Sequence, residues 1–598
     1  MQYTTEWDLS RYYYTGLDDP KLLETEQTIL DHVASFAQKY GPTLETFTQA
    51  KDILTFYRDY EALMAAMIRP SYYFFYLSSL DTQDTEIQKR QWAYSYLMTE
   101  ASNLLLFIPQ AWKKIGRERI LAWAHDPLLA WFQNDLIQTS EMLRYVLGEK
   151  EEYVLNMKSR PLSLANDLHD GLTGSYEFTM AIDSEVKTLT EEEVRSYRQH
   201  PDRTLRKEAY DALRRVYNTK QNQITLGNIF TSIVKDWSSE MRIRGYESIL
   251  AQRNLGEQLD DSTVDMLLSE VEQAYPLYER FLRKKASLLG LPFDTKDGWW
   301  FAIWDTSAPI GTMERHFSLE EAFDLHLRVM QDFDEEFYTY SLEMMTTGRI
   351  DAFPKFWKRS GAFASYRKDE KSMVLLNFVG KLRDVSTISH ELGHAIHGHL
   401  SQAQEWAVYD SPLSLAETAS IFSEMLLGEK LKTMISGEEY KGYLNERLSD
   451  IFATIFRQVQ YVSFERRVHA DILWGKELTY KELNALWRES QIEFLGKNVR
   501  FDVEQENESG WSMIPHIFHT PFYCYSYVFG NILVFSLYHR YKQDPKFKED
   551  YKNILRAWGS MRPKDLLMQY GIDIDSRDFY RAGIQEVEKL VEEFETLS

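Results

Sequence analysis

Apolar positions along this chain recur every third or fourth residue through most of its length, the spacing of one buried stripe on an α-helix. In 204–220, Leu205, Ala209, Ala212, Leu213 and Val216 form such a stripe, and Arg, Lys and Glu fill the opposite face. Thr190-Glu191-Glu192-Glu193 has the form of a capping box, in which Thr190 accepts from the amide three residues on and Glu193 reaches back. A helix is therefore predicted to start there. The polar stretch 183–188 just before it is the best boundary, dividing an N-terminal helical domain, 1–188, from a second domain, 189–598. No internal repeat and no Gly/Ser linker separates the two, so they are expected to share an interface.

Strand signals are few. The clearest is a hairpin in which 361–367 and 372–379 flank the charged turn Lys368-Asp369-Glu370-Lys371. The pattern predicts a mainly α protein with a small β-hairpin or sheet beside the helix that follows. In that helix Val385, Ile388, Leu392, Ile396 and Leu400 make the apolar stripe, and His390-Glu391-Leu392-Gly393-His394 lies across from it.

An H-E-x-x-H sequence on a helix sets two imidazoles one turn apart on one face, able to grip one Zn2+ ion together. A third ligand is then needed. The metzincin register requires Gly at 397 and His at 400, where this chain has His397 and Leu400. A glutamate from the next helix, predicted over Leu413–Leu427, supplies the alternative, and Glu417 is taken as the ligand. Glu424, seven residues on, is placed to orient a ligand histidine. Glu391 stands beside the metal as general base and then acid. His397 reads as a cleft-wall or supporting residue and His399 as solvated.

The strand Val374-Leu375-Leu376-Asn377-Phe378 is either a core strand or, as favoured, an edge on which a peptide backbone adds as a further strand. Trp511–Tyr527 gathers His516, His519, Tyr523, Tyr525 and Tyr527 with no aliphatic period to explain them, either as a catalytic surface or as a packed aromatic helix start. Trp299, Trp300 and Trp304 read as core or cleft-wall aromatics with no assigned role.

Composition narrows the class. Apolar residues form 44% of the 598, while 27 Gly and 16 Pro are few, which fits long helices and excludes a disordered chain. A net charge of -23 argues against nucleic acid or anionic membrane as partner. The single Cys524 suits a reducing, cytoplasmic compartment, with no secretory signal expected at 1–16. The longest apolar run, 527–538, is too short to span a bilayer and holds Gly530, Asn531 and Ser536.

Trp7-Asp8-Leu9, Arg206-Lys207-Glu208-Ala209-Tyr210, Arg244-Gly245-Tyr246-Glu247-Ser248, Gly361-Ala362-Phe363, Leu375-Leu376-Asn377, His390 to His397, Leu415 to Ser420, His516 to Tyr525 and Gly571-Ile572-Asp573 occur in the order of a known set of blocks. Through them the chain resembles the thimet oligopeptidase and oligoendopeptidase F family of zinc metallopeptidases, nearly end to end. The resemblance implies an elongated, two-lobed helical body with a deep central substrate channel, and 189–598 as its catalytic domain. It implies cleavage of internal bonds in short unstructured peptides, with His390, His394 and Glu417 on zinc and Glu391 as base. The family's transition-state histidine falls on His516 and its tyrosines on Tyr523, Tyr525 and Tyr527. Thimet-type spacing would put the last tyrosine on Val528, and His519-Thr520-Pro521 replaces that branch's Gly-Gly-Tyr turn, which leaves open which tyrosine donates and favours the oligoendopeptidase F branch.

The expected partners are oligopeptide substrates, with the chain acting as a monomer or small homo-oligomer. Two alternatives stand beside this reading. One is a carboxypeptidase or dipeptidyl carboxypeptidase on the same scaffold, which needs a cation to capture the substrate carboxylate. The other is a zinc-holding peptide-binding protein without catalysis.

Overall fold

A computed structural model describes residues 2–183, 185–291, 301–311, 315–496, 499–500 and 509–598. Trp299 and Trp300 lie outside the described residues. The described chain is mainly helical, with only three small sheets of two or three strands among those residues.

Packing gathers the chain into two units, each built from three segments. The first comprises Met1–Glu149, Arg315–Leu431 and Pro545–Tyr570, and the second Lys150–Glu314, Lys432–Asp544 and Gly571–Ser598. The expected 188/189 boundary falls inside a segment of the second unit, so packing does not divide the chain there. The reason is visible near the start. Trp7 Nε1 donates to the carbonyls of Val374 at 2.8 Å and Arg349 at 3.1 Å, and Tyr13 donates to Glu370 at 2.5 Å. N-terminal residues thereby satisfy backbone and turn groups of the small sheet.

In the second unit the predicted capping box is present, with Thr190 capping helix Glu191–Tyr197. Helix Arg203–Tyr217 buries Ala209, Ala212 and Leu213 against Phe230, Phe464 and Trp511. One residue of its supposed polar face does not stay in solvent. Arg206 is 2% exposed because it pairs at 2.8 Å with the fully buried Asp305. A buried charge needs such a partner.

In the first unit Phe363–Ser365 pairs antiparallel with Met373–Leu375, as the hairpin pattern predicts. A strand of two residues, Ile350–Asp351, adds in parallel on the other side of Met373–Leu375. That strand is therefore central, with both flanks occupied, and the favoured reading of it as a substrate-binding edge does not hold over 373–375. The outer positions belong to Ile350–Asp351 and Phe363–Ser365.

Candidate metal centre and active site

Helix Leu382–Leu400 carries the H-E-x-x-H sequence, and its predicted stripe is buried: Val385, Ile388, Leu392, Ile396 and Leu400 are each at most 5% exposed. Asp384 holds the helix start by accepting from Val379 N and Lys381 N at 2.9 and 3.0 Å. Two glycines let neighbours approach it. A Cβ on Gly393 would stand 2.7 Å from the Ala419 carbonyl oxygen and 2.7 Å from Ser420 Cα. One on Gly398 would stand 2.5 Å from Tyr366 Cβ.

The helix expected over Leu413–Leu427 is broken at the candidate ligand. Leu413–Ala416 ends and Thr418–Lys432 begins around Glu417, whose φ and ψ are -84° and 5°. The Thr418 hydroxyl donates to the Leu415 carbonyl at 2.6 Å, taking over a helical acceptor, and Ile421 N donates to Glu417 O at 3.2 Å to start the new helix. Ser420 Oγ donates to Glu417 Oε2 at 2.6 Å, which fixes the carboxylate.

The result is a compact donor set. Glu417 Oε2 lies 3.3 Å from His390 Nε2 and 3.3 Å from His394 Nε2. Ligands about 2.0 to 2.1 Å from one ion at tetrahedral angles stand roughly 3.3 Å from each other, so both Glu417–histidine separations match a shared zinc ion, and all three ligand atoms lie within 4.8 Å of one another. Glu424 Oε1 accepts from His390 Nδ1 at 2.5 Å, which leaves Nε2 as the lone-pair nitrogen.

Charges in the set are strongly coupled. Burial pushes the His390 pKa down, but the hydrogen bond and charge of Glu424, then the charges of Glu417 and Glu391, raise it to about 9. Burial raises Glu417, yet the His394 and His390 charges pull it below the usual carboxylate range. Burial also raises Glu391, against the lowering pull of His390, His394 and an N–H from Ala364. A carboxylate whose proton affinity is lifted in this way suits proton transfer near neutral pH.

Two histidines of this helix take other places. His397 is 2% exposed and packs edge-on against Trp558. His399 is not solvated as expected, because its ring stacks on Tyr340 with centroids 4.1 Å apart. Ala364 and Tyr366, whose ring is stacked 6.3 Å from that of His394, were not singled out by sequence reasoning. Their proximity depends on the hairpin register and on Gly398.

The remaining predicted residues lie in the second unit. Helix Pro515–His519 is followed by a turn to helix Cys524–Gln543, and Phe522 in that turn has φ of +59°. Its amide donates to the buried Glu465 at 2.8 Å, which stabilises the strained backbone. His516 stacks on Tyr523 with centroids 5.9 Å apart, and Tyr527 brings its hydroxyl to 3.4 Å from His516 Nε2. Tyr523 and Tyr527, one turn apart, pack edge to face at 4.8 Å. Burial, then the His519 charge, lowers the His516 pKa.

Tyr525 does not join them. It is fully buried and its hydroxyl donates to Asn254 Oδ1 at 2.6 Å, so its expected catalytic role lacks an available hydroxyl. The helical period explains this, since a residue two positions from Tyr523 faces the other side. Arg253, also missed, holds its guanidinium 5.2 Å above the Tyr523 ring and pairs with Glu257 at 2.7 Å.

The chain is similar to several known proteins. The chain is 24% identical over 607 residues to an oligoendopeptidase F homolog of Lactococcus lactis, covering 99% of this chain and 97% of that one. It is 26% identical over 613 residues to the group B oligopeptidase PepB of Streptococcus agalactiae, with the same coverage. The fold is shared with the crystal structure of oligoendopeptidase F from Enterococcus faecium, at a TM-score of 0.71, 20% identity and coverage of 96% and 98%. The sequence profile of peptidase family M3 matches residues 196–586, more than half of the 598 residues, and the chain belongs to that family.

Proposed function

We propose that this protein is a zinc-dependent oligoendopeptidase that hydrolyses internal bonds of short, unstructured peptides. The observation that carries the reading is the equal 3.3 Å spacing of Glu417 Oε2 from the two imidazole Nε2 atoms, with Glu391 between those histidines on the same helix. His390, His394 and Glu417 would hold the ion. Zinc in that position would acidify water to a pKa of about 7 and polarise the scissile carbonyl.

The protein's own groups supply the proton transfers. Glu391, raised by burial and steadied by the Ala364 N–H, takes the proton of the attacking water and delivers it to the leaving amine. Glu424 keeps His390 in the tautomer that presents Nε2. In this reading His516 and the tyrosines Tyr523 and Tyr527 are the donors to the oxyanion, a role assigned to them by the family resemblance.

Residence in the cytoplasm and action as a monomer or small homo-oligomer belong to the same proposal. The single, buried Cys524 supports a reducing compartment, and no helix among the described residues is long and apolar enough to cross a membrane.

The test is digestion of a peptide of about ten residues blocked at both ends, with products read by mass. Internal cleavage establishes the endopeptidase. Cleavage of the unblocked peptide only, from its C-terminus, would establish the carboxypeptidase alternative instead.

A further inference from the structure

A second cluster of ligand-type side chains lies in the unit that carries His516, and the proposed mechanism makes no use of it. His169 and Asp170 sit near the end of helix Glu149–Gly174, and His519 closes helix Pro515–His519. Asp170 Oδ1 lies 3.0 Å from His169 Nδ1 and 2.9 Å from His519 Nε2. The three ligand atoms all fall within 4.8 Å of one another.

The surroundings of His169 point to a cation. Its ring is 3% exposed and stacked on Phe518 with centroids 3.9 Å apart, which fixes the orientation. Nε2 faces the Ser512 carbonyl at 3.4 Å, and Nδ1 faces the Asp170 carboxylate. Both neighbours are acceptors, yet a neutral imidazole carries one N–H. One ring nitrogen then turns a lone pair toward an oxygen, unless a positive charge intervenes. A metal on Nδ1, with Nε2–H directed to a backbone carbonyl, is the arrangement commonly found around metal-bound histidine.

We propose that His169 Nδ1, Asp170 Oδ1 and His519 Nε2 form a second site for a divalent transition ion, zinc foremost. Two imidazoles and one carboxylate are a borderline donor set suited to zinc, and to cobalt, nickel or copper in its place. The present separations are a few tenths of an ångström shorter than the roughly 3.3 Å of a tetrahedral set, a change that exposed side chains absorb easily. Asp170 and His519 are 55% and 37% exposed, which gives the ion an entry path and leaves room for water as a further ligand. Bound there, the ion ties helix Glu149–Gly174 to the short helix that carries His516 three residues before His519. It would act on His516 as a brace and not as a participant in the chemistry.

Zinc per chain, counted by elemental analysis after equilibration with zinc buffered from the picomolar to the micromolar range, tests this. The holoenzyme is expected to take up a second equivalent in the upper part of that range. Asp170→Ala and His519→Gln should keep the first equivalent and lose the second, with unchanged circular dichroism. His519→Gln is informative because its amide still donates to Asp170 but binds zinc poorly, so a site built only from hydrogen bonds would survive it. Replacing zinc with cobalt should give a second set of visible absorption bands that both variants lack. A holoenzyme that stops at one equivalent throughout, or variants that retain the second, overturns the proposal.

Discussion

Glu424 Oε1 stands 2.5 Å from His390 Nδ1, while Nε2 of the same ring stands 3.3 Å from the Glu417 carboxylate that shares the donor set. One imidazole is thus held from both sides by acids seven positions apart in sequence. The outer acid sets the tautomer, and the inner acid and the ring face the candidate metal position together.

Replacing Glu424 by Gln removes the charge and weakens the hold on the His390 tautomer. Zinc affinity, measured by competition with a chromophoric chelator, should fall roughly 10- to 100-fold, with circular dichroism unchanged. An unchanged affinity would show that Glu424 does not tune the ligand.

Gly393 admits the Thr418–Lys432 helix against the helix that carries His390 and His394. Gly393→Ala would drive a methyl group to 2.7 Å from the Ala419 carbonyl oxygen, so the two helices must separate. Thermal unfolding should show a loss of about 1 to 3 kcal/mol. Zinc affinity should fall as well, because Glu417 moves with the displaced helix, whereas Gly437→Ala, where no atom lies within 4 Å of the added Cβ, should leave zinc affinity unchanged.

Tyr527 and Tyr525 separate the hydroxyl proposed to react from a packed one. Tyr527→Phe should lower kcat roughly 100- to 1,000-fold with KM little changed, as for loss of an oxyanion donor. Tyr525→Phe breaks only the bond to Asn254 and should cost about 1 kcal/mol of stability, with kcat near wild type. Steady-state kinetics on both variants decides between them.

Lys285 gives a dependence of stability on pH. Burial, then repulsion from Arg206, depresses its pKa from 10.5 to about 7, although Asp305 pulls the other way. Between about pH 7 and 10.5 the unfolded chain binds a proton at this site that the folded chain does not. Stability from this group therefore rises with pH across that window, and the full penalty is present below about pH 7. Lys285→Met should show its greatest gain in Tm relative to wild type at or below neutral pH, shrinking toward pH 10.5. A difference that stays constant with pH would contradict the shift.

Much of the site was readable from periodicity. The apolar stripe of 385–400 fixed the helix, and the helix fixed the relation of His390 to His394 and left Glu391 between them. Glu417 and Glu424 followed from the next helix, but the break at Glu417 did not. It depends on a Thr418 hydroxyl and on contact across Gly393, both tertiary. The two-residue strand 350–351 carries too little pattern to be seen, so the central position of Met373–Leu375 was hidden. The different placement of Tyr525 is legible in the spacing: with the helix beginning at Cys524, the helical period groups Tyr527 with Tyr523 and turns Tyr525 inward. The burial of Arg206 could not be foreseen, because Asp305 lies 99 positions away.

The central claim, hydrolysis at a metal held by His390, His394 and Glu417 with Glu391 as base, is tested most directly by one comparison. Wild-type protein and Glu391→Ala are assayed on a doubly blocked quenched fluorescent peptide, with zinc counted in both. The account predicts equal zinc and a fall in kcat of at least about 100- to 10,000-fold in the variant. Activity undiminished in a variant that still holds zinc would contradict it.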